Sequence, residues 1–75
     1  MKELVEYIAS SLVEHLEDVE VKEKKREHST ILELSVNPDD MGKVIGKQGR
    51  IAKSIRVVLK AYATKNNEKA SLDIV

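Results

Sequence analysis

The residues best suited to chemistry lie in one short run, Met41-Gly-Lys-Val-Ile-Gly-Lys-Gln-Gly-Arg-Ile-Ala-Lys-Ser-Ile-Arg56. It holds all three glycines of the chain, Gly42, Gly46 and Gly49, and the cations Lys43, Lys47, Arg50, Lys53 and Arg56, with no acid among them. Glycine at both ends of Gly46-Lys47-Gln48-Gly49 permits backbone angles that other residues resist, and it removes side chains that would block an approaching molecule. The amides of Gln48 to Ile51 fall at the start of a helix, where N–H groups and the helix dipole favour an anion. Lys47 and Arg50 could each meet a phosphate. These features describe a clamp for a sugar–phosphate backbone, although Gly-x-x-Gly alone serves equally well as a plain helix–helix turn.

The flanking elements must position this loop. Residues 3–16 read as an amphipathic helix, with Leu4, Ile8, Leu12 and Leu16 recurring every four positions beside Val5, Ala9 and Val13. Val19 and Val21 then alternate with Glu20 and Lys22, a strand signal that fades into Lys-Glu-Lys-Lys-Arg-Glu. The polar tract from Lys25 to Ser29 suits a hairpin connection. A second strand has Leu32, Leu34 and Val36 on one face and Ile31, Glu33 and Ser35 on the other. Asn37-Pro38-Asp39-Asp40 reads as a helix start, with Asn37 as cap and two acids at the positive end of the dipole. A short helix through Met41, Val44 and Ile45 ends at Gly46. After Gly49 a longer helix is expected to carry Ile51, Ile55, Val58, Leu59 and Tyr62 on one face and Lys53, Arg56 and Lys60 on another. Asn66 or Asn67 can end it in a left-handed conformation. Ala70, Leu72 and Ile74 begin a last strand, alternating with Ser71, Asp73 and Val75. The order α-β-β-α-α-β predicts one α+β domain over residues 1–75, with its helices on one face of a three-stranded sheet.

The formal net charge of zero conceals two opposite parts. Met41 to Asn67 carries seven cations and no acid, a charge of +7, which leaves −7 elsewhere. That asymmetry points towards a polyanionic partner, against the alternative of a merely solvated helix face. With no cysteine and two isolated histidines, His15 and His28, the chain offers neither a catalytic constellation nor metal-ligand spacing, so no enzyme activity, cofactor or metal is expected. His15 is expected at the surface near the end of the first helix, where its charge suits the dipole. No apolar run approaches a membrane span, the glutamates near the N-terminus do not suit a signal peptide, and a cytoplasmic protein is expected.

The fuller pattern Val44-Ile45-Gly46-Lys47-Gln48-Gly49-Arg50-Ile51, on a helix–loop–helix followed by a strand, resembles the KH family of RNA-binding domains. That family's signature is Ile-Gly-x-x-Gly-x-x-Ile. Here Ile45, Gly46 and Gly49 match, Ile51 stands one residue early, and Ala52 takes the last position. The element order is similar to the type II arrangement, which implies a mixed sheet with its two later strands parallel. More narrowly, residues 37–61 resemble the KhpA family of small bacterial single-KH proteins. The resemblance implies RNA binding, a chaperone role, and either self-association as a homodimer or pairing with a KhpB-type (Jag/EloR) KH protein, with which the family acts in control of cell elongation and envelope (peptidoglycan) homeostasis.

Carried onto this sequence, the resemblance places Gly46, Lys47, Gln48 and Gly49 on the backbone of about four nucleotides of single-stranded RNA. Val44, Ile45 and Ile51 would line an apolar floor with Leu34 or Val36, and Lys43, Arg50 and Lys53 would border it. Phe and Trp are absent and Tyr7 and Tyr62 are the only aromatics, which argues against recognition by stacking. Three rivals remain to be weighed. A nucleotide-binding P-loop needs four residues between its glycines and Ser or Thr after the lysine, and fails on both counts. A DNA-binding helix-turn-helix fits two helices around a basic turn, but less well the paired glycines and flanking strands. A pure interaction module could use Val57, Val58, Leu59 and Ala61 on the long helix as a pairing surface.

Overall fold

Alternation in β2 (Ser29–Ser35) dictates the centre of the domain, because a strand places successive side chains on opposite faces. In the computed structural model, which describes residues 1–75, Leu32 and Leu34 of β2 are wholly enclosed. This strand is flanked on one side by β1 (Glu20–Lys25), antiparallel, and on the other by β3 (Lys69–Ile74), parallel. Val21, Leu34 and Ile74 share one cross-strand row, and Glu23, Leu32 and Leu72 the next. The helices α1 (Lys2–Leu12), α2 (Met41–Ile45) and α3 (Arg50–Lys65) lie over the face that carries Leu32, Leu34 and Leu72. They contribute Val5 and Ala9, Val44, and Ile55 and Leu59 to the same core. The α+β class, the α-β-β-α-α-β order and the mixed sheet therefore stand as expected.

The first helix is shorter than its apolar pattern. It ends at Leu12, Val13 turns extended (φ −101°, ψ 162°), and a 3₁₀ turn follows at Leu16–Asp18. The cause lies 25 residues away. Asp40 is 1% exposed, and its carboxylate accepts the backbone N–H groups of His15 (3.0 Å) and Glu14 (3.3 Å). Once those donors are captured they cannot continue the helix, and Leu16 is left 58% exposed. His15 accordingly sits beyond the helix, its ring 3.8 Å from Glu17.

The strand at Glu20 does not fade where its apolar residues do. It runs to Lys25 because only Val21 must face the core, and the charged remainder lies on an open edge where Lys is well tolerated. Lys22 pairs with Glu20 at 3.7 Å and Lys24 with Glu33 across the sheet at 3.6 Å.

Both capping expectations hold. The Asn37 side chain accepts the Asp39 N–H at 2.8 Å and donates to Asp18 at 2.8 Å, tying the turn before β1 to the turn before α2. At the far end of α3, Asn67 is the left-handed residue (φ 56°). The N–H of Glu68 bonds to the carbonyl of Ala63 and that of Asn67 to Thr64, the paired bonds of a Schellman motif. The face of α3 is rotated from expectation. Its buried row is Ala52, Ile55, Leu59 and Ala63, while Val58 and Tyr62 are 47% and 46% exposed. Two alanines on that row let the helix settle closely on the sheet, which turns the larger Val58 and Tyr62 outward.

Asp40 also makes the fold's acid dependence predictable. Burial opposes its charge, yet the N–H groups of His15 and Glu14 and the Lys43 ammonium hold its carboxyl below the ordinary 3.8. A depressed carboxyl stabilises the fold fully above its unfolded value, and that contribution is lost as pH falls through the lower folded value. Urea unfolding of Asp40→Asn and the native chain, from about pH 7 to about pH 2, is expected to show the largest stability gap at neutral pH. The gap should close at the acid end; a gap constant across that range would mean the ionised carboxylate is not what binds the two segments.

Candidate nucleic-acid interface

The loop between α2 and α3 takes its shape from three residues with positive φ. Gly46 (φ 77°, ψ 174°) ends α2, with its N–H on the Gly42 carbonyl at 2.9 Å. Gln48 (φ 58°) and Gly49 (φ 74°) then turn the chain into α3. Gln48 adopts this region without glycine's freedom, at a cost of about 1 kcal/mol. Not all the amides at the start of α3 are open to an anion. The Gly49 N–H bonds to the Gly46 carbonyl at 3.1 Å, and the Arg50 N–H bonds to Lys47.

The glycines differ in what they do. A Cβ at Gly46 would lie 2.5 Å from Ile51 Cγ1, so both space and backbone angle require glycine there. At Gly49 only the angle does, since nothing lies within 4 Å of a built Cβ. Gly42 meets neither condition.

The candidate residues divide by surroundings. Lys47, Gln48, Arg50 and Lys53 are exposed, and none of the three cations has an acidic partner within 4 Å. Lys43 stands apart from them. Its ammonium lies 3.0 Å from Glu14 and 3.4 Å from Asp40, and Glu14 foremost, with Asp40, raises its pKa above the ordinary 10.5. Lys43 therefore works as the counter-charge of a buried carboxylate rather than as a free cation at the loop. Ile45 and Ile51 are partly exposed and pack against the core. Val44, Leu34 and Val36 are enclosed in that core and present no open surface, so the accessible apolar surface at this end falls to Ile45 and Ile51. The tyrosines lie on α1 and α3, outside the loop, where they give it no stacking platform.

Asp40 is the contributor that reading the sequence assigned only to the helix dipole. Its buried ties to Glu14 and His15 fix where α2 starts, and hence where the loop emerges. The signal available was one of two adjacent acids at a helix start, which does not say which will turn inward. His15, Glu17 and Asp18 bring ligand atoms within 4.8 Å of one another at the surface, with Asp18 already holding Asn37. Surface groups of this kind gather without an ion, and no metal is assigned to them.

A three-stranded mixed sheet under three helices, with a Gly-Lys-Gln-Gly loop joining the last two helices, defines a KH domain in the type II arrangement. The KhpA/KhpB KH-domain family model matches residues 2–74, and the chain belongs to that family. It is similar to RNA-binding protein KhpA of Clostridium perfringens (strain 13 / Type A), with 64% identity over 75 residues that span the whole of both chains. The same name is carried by similar proteins of Halalkalibacterium halodurans, 59% identical over all of this chain and 99% of the other, and Listeria monocytogenes serovar 1/2a, 47% identical with the same coverage. No solved structure matches the chain.

The two positive-φ glycines should respond unequally to alanine. Gly49→Ala is expected to cost about 1 kcal/mol from its backbone angle, and Gly46→Ala about 2–4 kcal/mol because overpacking against Ile51 is added. Urea denaturation of the two variants measures the difference; equal losses would contradict the close approach of Ile51.

Proposed function

We propose that this protein binds single-stranded RNA, clamping the backbone of about four nucleotides on the Gly46-Lys47-Gln48-Gly49 loop. The observation that carries this reading is the group of cations at the loop, Lys47, Arg50 and Lys53, which have no intramolecular partner although the residues outside Met41–Asn67 carry a net charge of −7. A phosphate supplies what they lack. Lys47 and Gln48 face the backbone from the loop, Arg50 and Lys53 follow it along the first turn of α3, and Ile45 and Ile51 offer bases an aliphatic surface. Family membership and the names of the relatives support the same reading. Few groups here can read base edges, so affinity is modest and sequence preference loose. In this reading the protein acts as an RNA chaperone, together with a KhpB-type partner, in control of cell elongation and envelope homeostasis.

One observation favours a second reading, that the chain is chiefly a pairing module. Val57, Val58 and Tyr62 are exposed on the outer side of α3, at 67%, 47% and 46%, with the exposed Ala61 among them. Leu59, by contrast, is buried and takes no part in that surface. A homodimer or a KhpB-type pair formed there would hold two weak RNA sites together and raise their effective concentration.

The double variant Lys47→Asp, Gln48→Asp separates the readings, with circular dichroism to show that it folds. Binding to a short single-stranded RNA is expected to weaken by about tenfold or more. The slope of log K against log salt should become shallower by about 0.7 for each phosphate that the variant no longer neutralises. Unchanged binding by a folded variant would remove the loop from the RNA site and leave the pairing module as the better account.

A further inference from the structure

The helix that delivers the chain to the loop cannot hold its own position. With five residues, α2 is far too short to be stable by its backbone bonds alone, so its place comes from what it touches. Val44 is sunk in the core, Gly46 lies against Ile51, and Asp40 ties the start of the helix to the segment that follows α1. The first two contacts are apolar and slide easily. The third has direction.

Asp40 stands at the N-cap of α2, where an aspartate ordinarily accepts N–H groups of its own helix. It makes no such bond. Its Oδ2 accepts the His15 N–H at 3.0 Å and its Oδ1 the Glu14 N–H at 3.3 Å, both on a segment outside α1. Lys43, one turn along α2, closes the ring, with Nζ 3.4 Å from Asp40 Oδ1 and 3.0 Å from Glu14 Oε1. Residues 14 and 15 therefore grip α2 at its cap and at its first turn. A start displaced by one residue would move the end of a helix by about 1.5 Å and turn it by about 100°, and here that end is the loop.

We propose that Asp40 is a positioning residue for RNA binding, and that the N–H groups of Glu14 and His15 control the RNA loop from outside it through that carboxylate. The proposal rests on the RNA-binding reading of the loop and adds to it a control point that touches no RNA. Whatever draws those two N–H groups away from Asp40 loosens the site, and by reciprocity bound RNA holds the segment after α1 in place. The sign of the effect separates this role from plain electrostatics. Through its charge alone a carboxylate near the loop opposes a polyanion, so its removal would tighten RNA binding; as a latch, its removal weakens binding.

The experiment measures binding of a four-nucleotide single-stranded RNA by the native chain, Asp40→Asn, His15→Pro and His15→Ala, each shown by circular dichroism to fold. His15→Pro reaches the latch from its other side. It deletes the N–H that Oδ2 accepts, at a residue outside any α-helix (φ −96°), and leaves Asp40 and the loop unchanged. If Asp40→Asn does not fold, His15→Pro carries the comparison alone. Both are expected to bind about tenfold more weakly, a typical coupling between separate sites, and to shift the amide resonances of Gly46 to Gly49 before RNA is added. His15→Ala loses the same ring but keeps the N–H, and should bind as the native chain does. So should Ala63→Gly, which weakens the far end of α3 and lowers resistance to urea. Native or tighter binding by Asp40→Asn or His15→Pro, with the native chain still binding RNA, would overturn the latch and leave the loop in place. Weakening of Ala63→Gly in step with them would also overturn it, tracing the loss to general stability. If the native chain bound no RNA, the reading of the loop would fail and the positioning role with it.

Discussion

At Gly46 the chain leaves α2 and passes so close to Ile51 that no side chain fits between them; a Cβ there would lie 2.5 Å from Ile51 Cγ1. This close approach brings the start of α3 back against the end of α2 and makes the intervening turn protrude. Gln48 and Gly49 must then both turn left-handed to reach the helix, which leaves the Lys47 and Gln48 side chains exposed at the tip. The shape of the proposed clamp thus follows from one missing methyl group. The positive charge could not create that shape, but it determines what the shape can hold.

Neutral net charge is the second feature that the structure resolves into parts. Lys22 and Lys24 of β1 and Lys43 of α2 are answered by acids within 4 Å, whereas the cations of the loop and of α3 are not. Lys43 shows why position in the sequence is a poor guide to this division. It lies three residues before Gly46, yet it serves the buried Asp40 carboxylate, and Asp40 in turn holds the segment that follows α1. A cation tied to acids in this way still matters to the loop, because the latch it completes fixes where α2 begins.

Much of this was legible in the residues. Alternation marked β2 and β3, Asn37-Pro38 marked the start before α2, and the confinement of glycine to eight positions marked the loop. What escaped reading was non-local. The end of α1 is set by a carboxylate 25 residues downstream, which periodicity cannot register. The buried row of α3 runs through Ala52 and Ala63, because a close seat on the sheet favours small residues over Val58 and Tyr62. Val44 and Leu34 pass as well for a ligand floor as for core in a linear pattern, and only packing shows them enclosed. The loop's composition was visible from the start, whereas the identity of its unpaired cations was not.

The central claim is that RNA meets this protein at the loop, and backbone amide chemical shifts followed while a four-nucleotide single-stranded RNA is added test it most directly. The account predicts that the largest changes fall on Gly46 to Lys53, weaken with added salt, and leave the amides of β1 unmoved. Changes confined to the exposed Val57–Tyr62 face of α3, or none at the loop at saturating RNA, would contradict it.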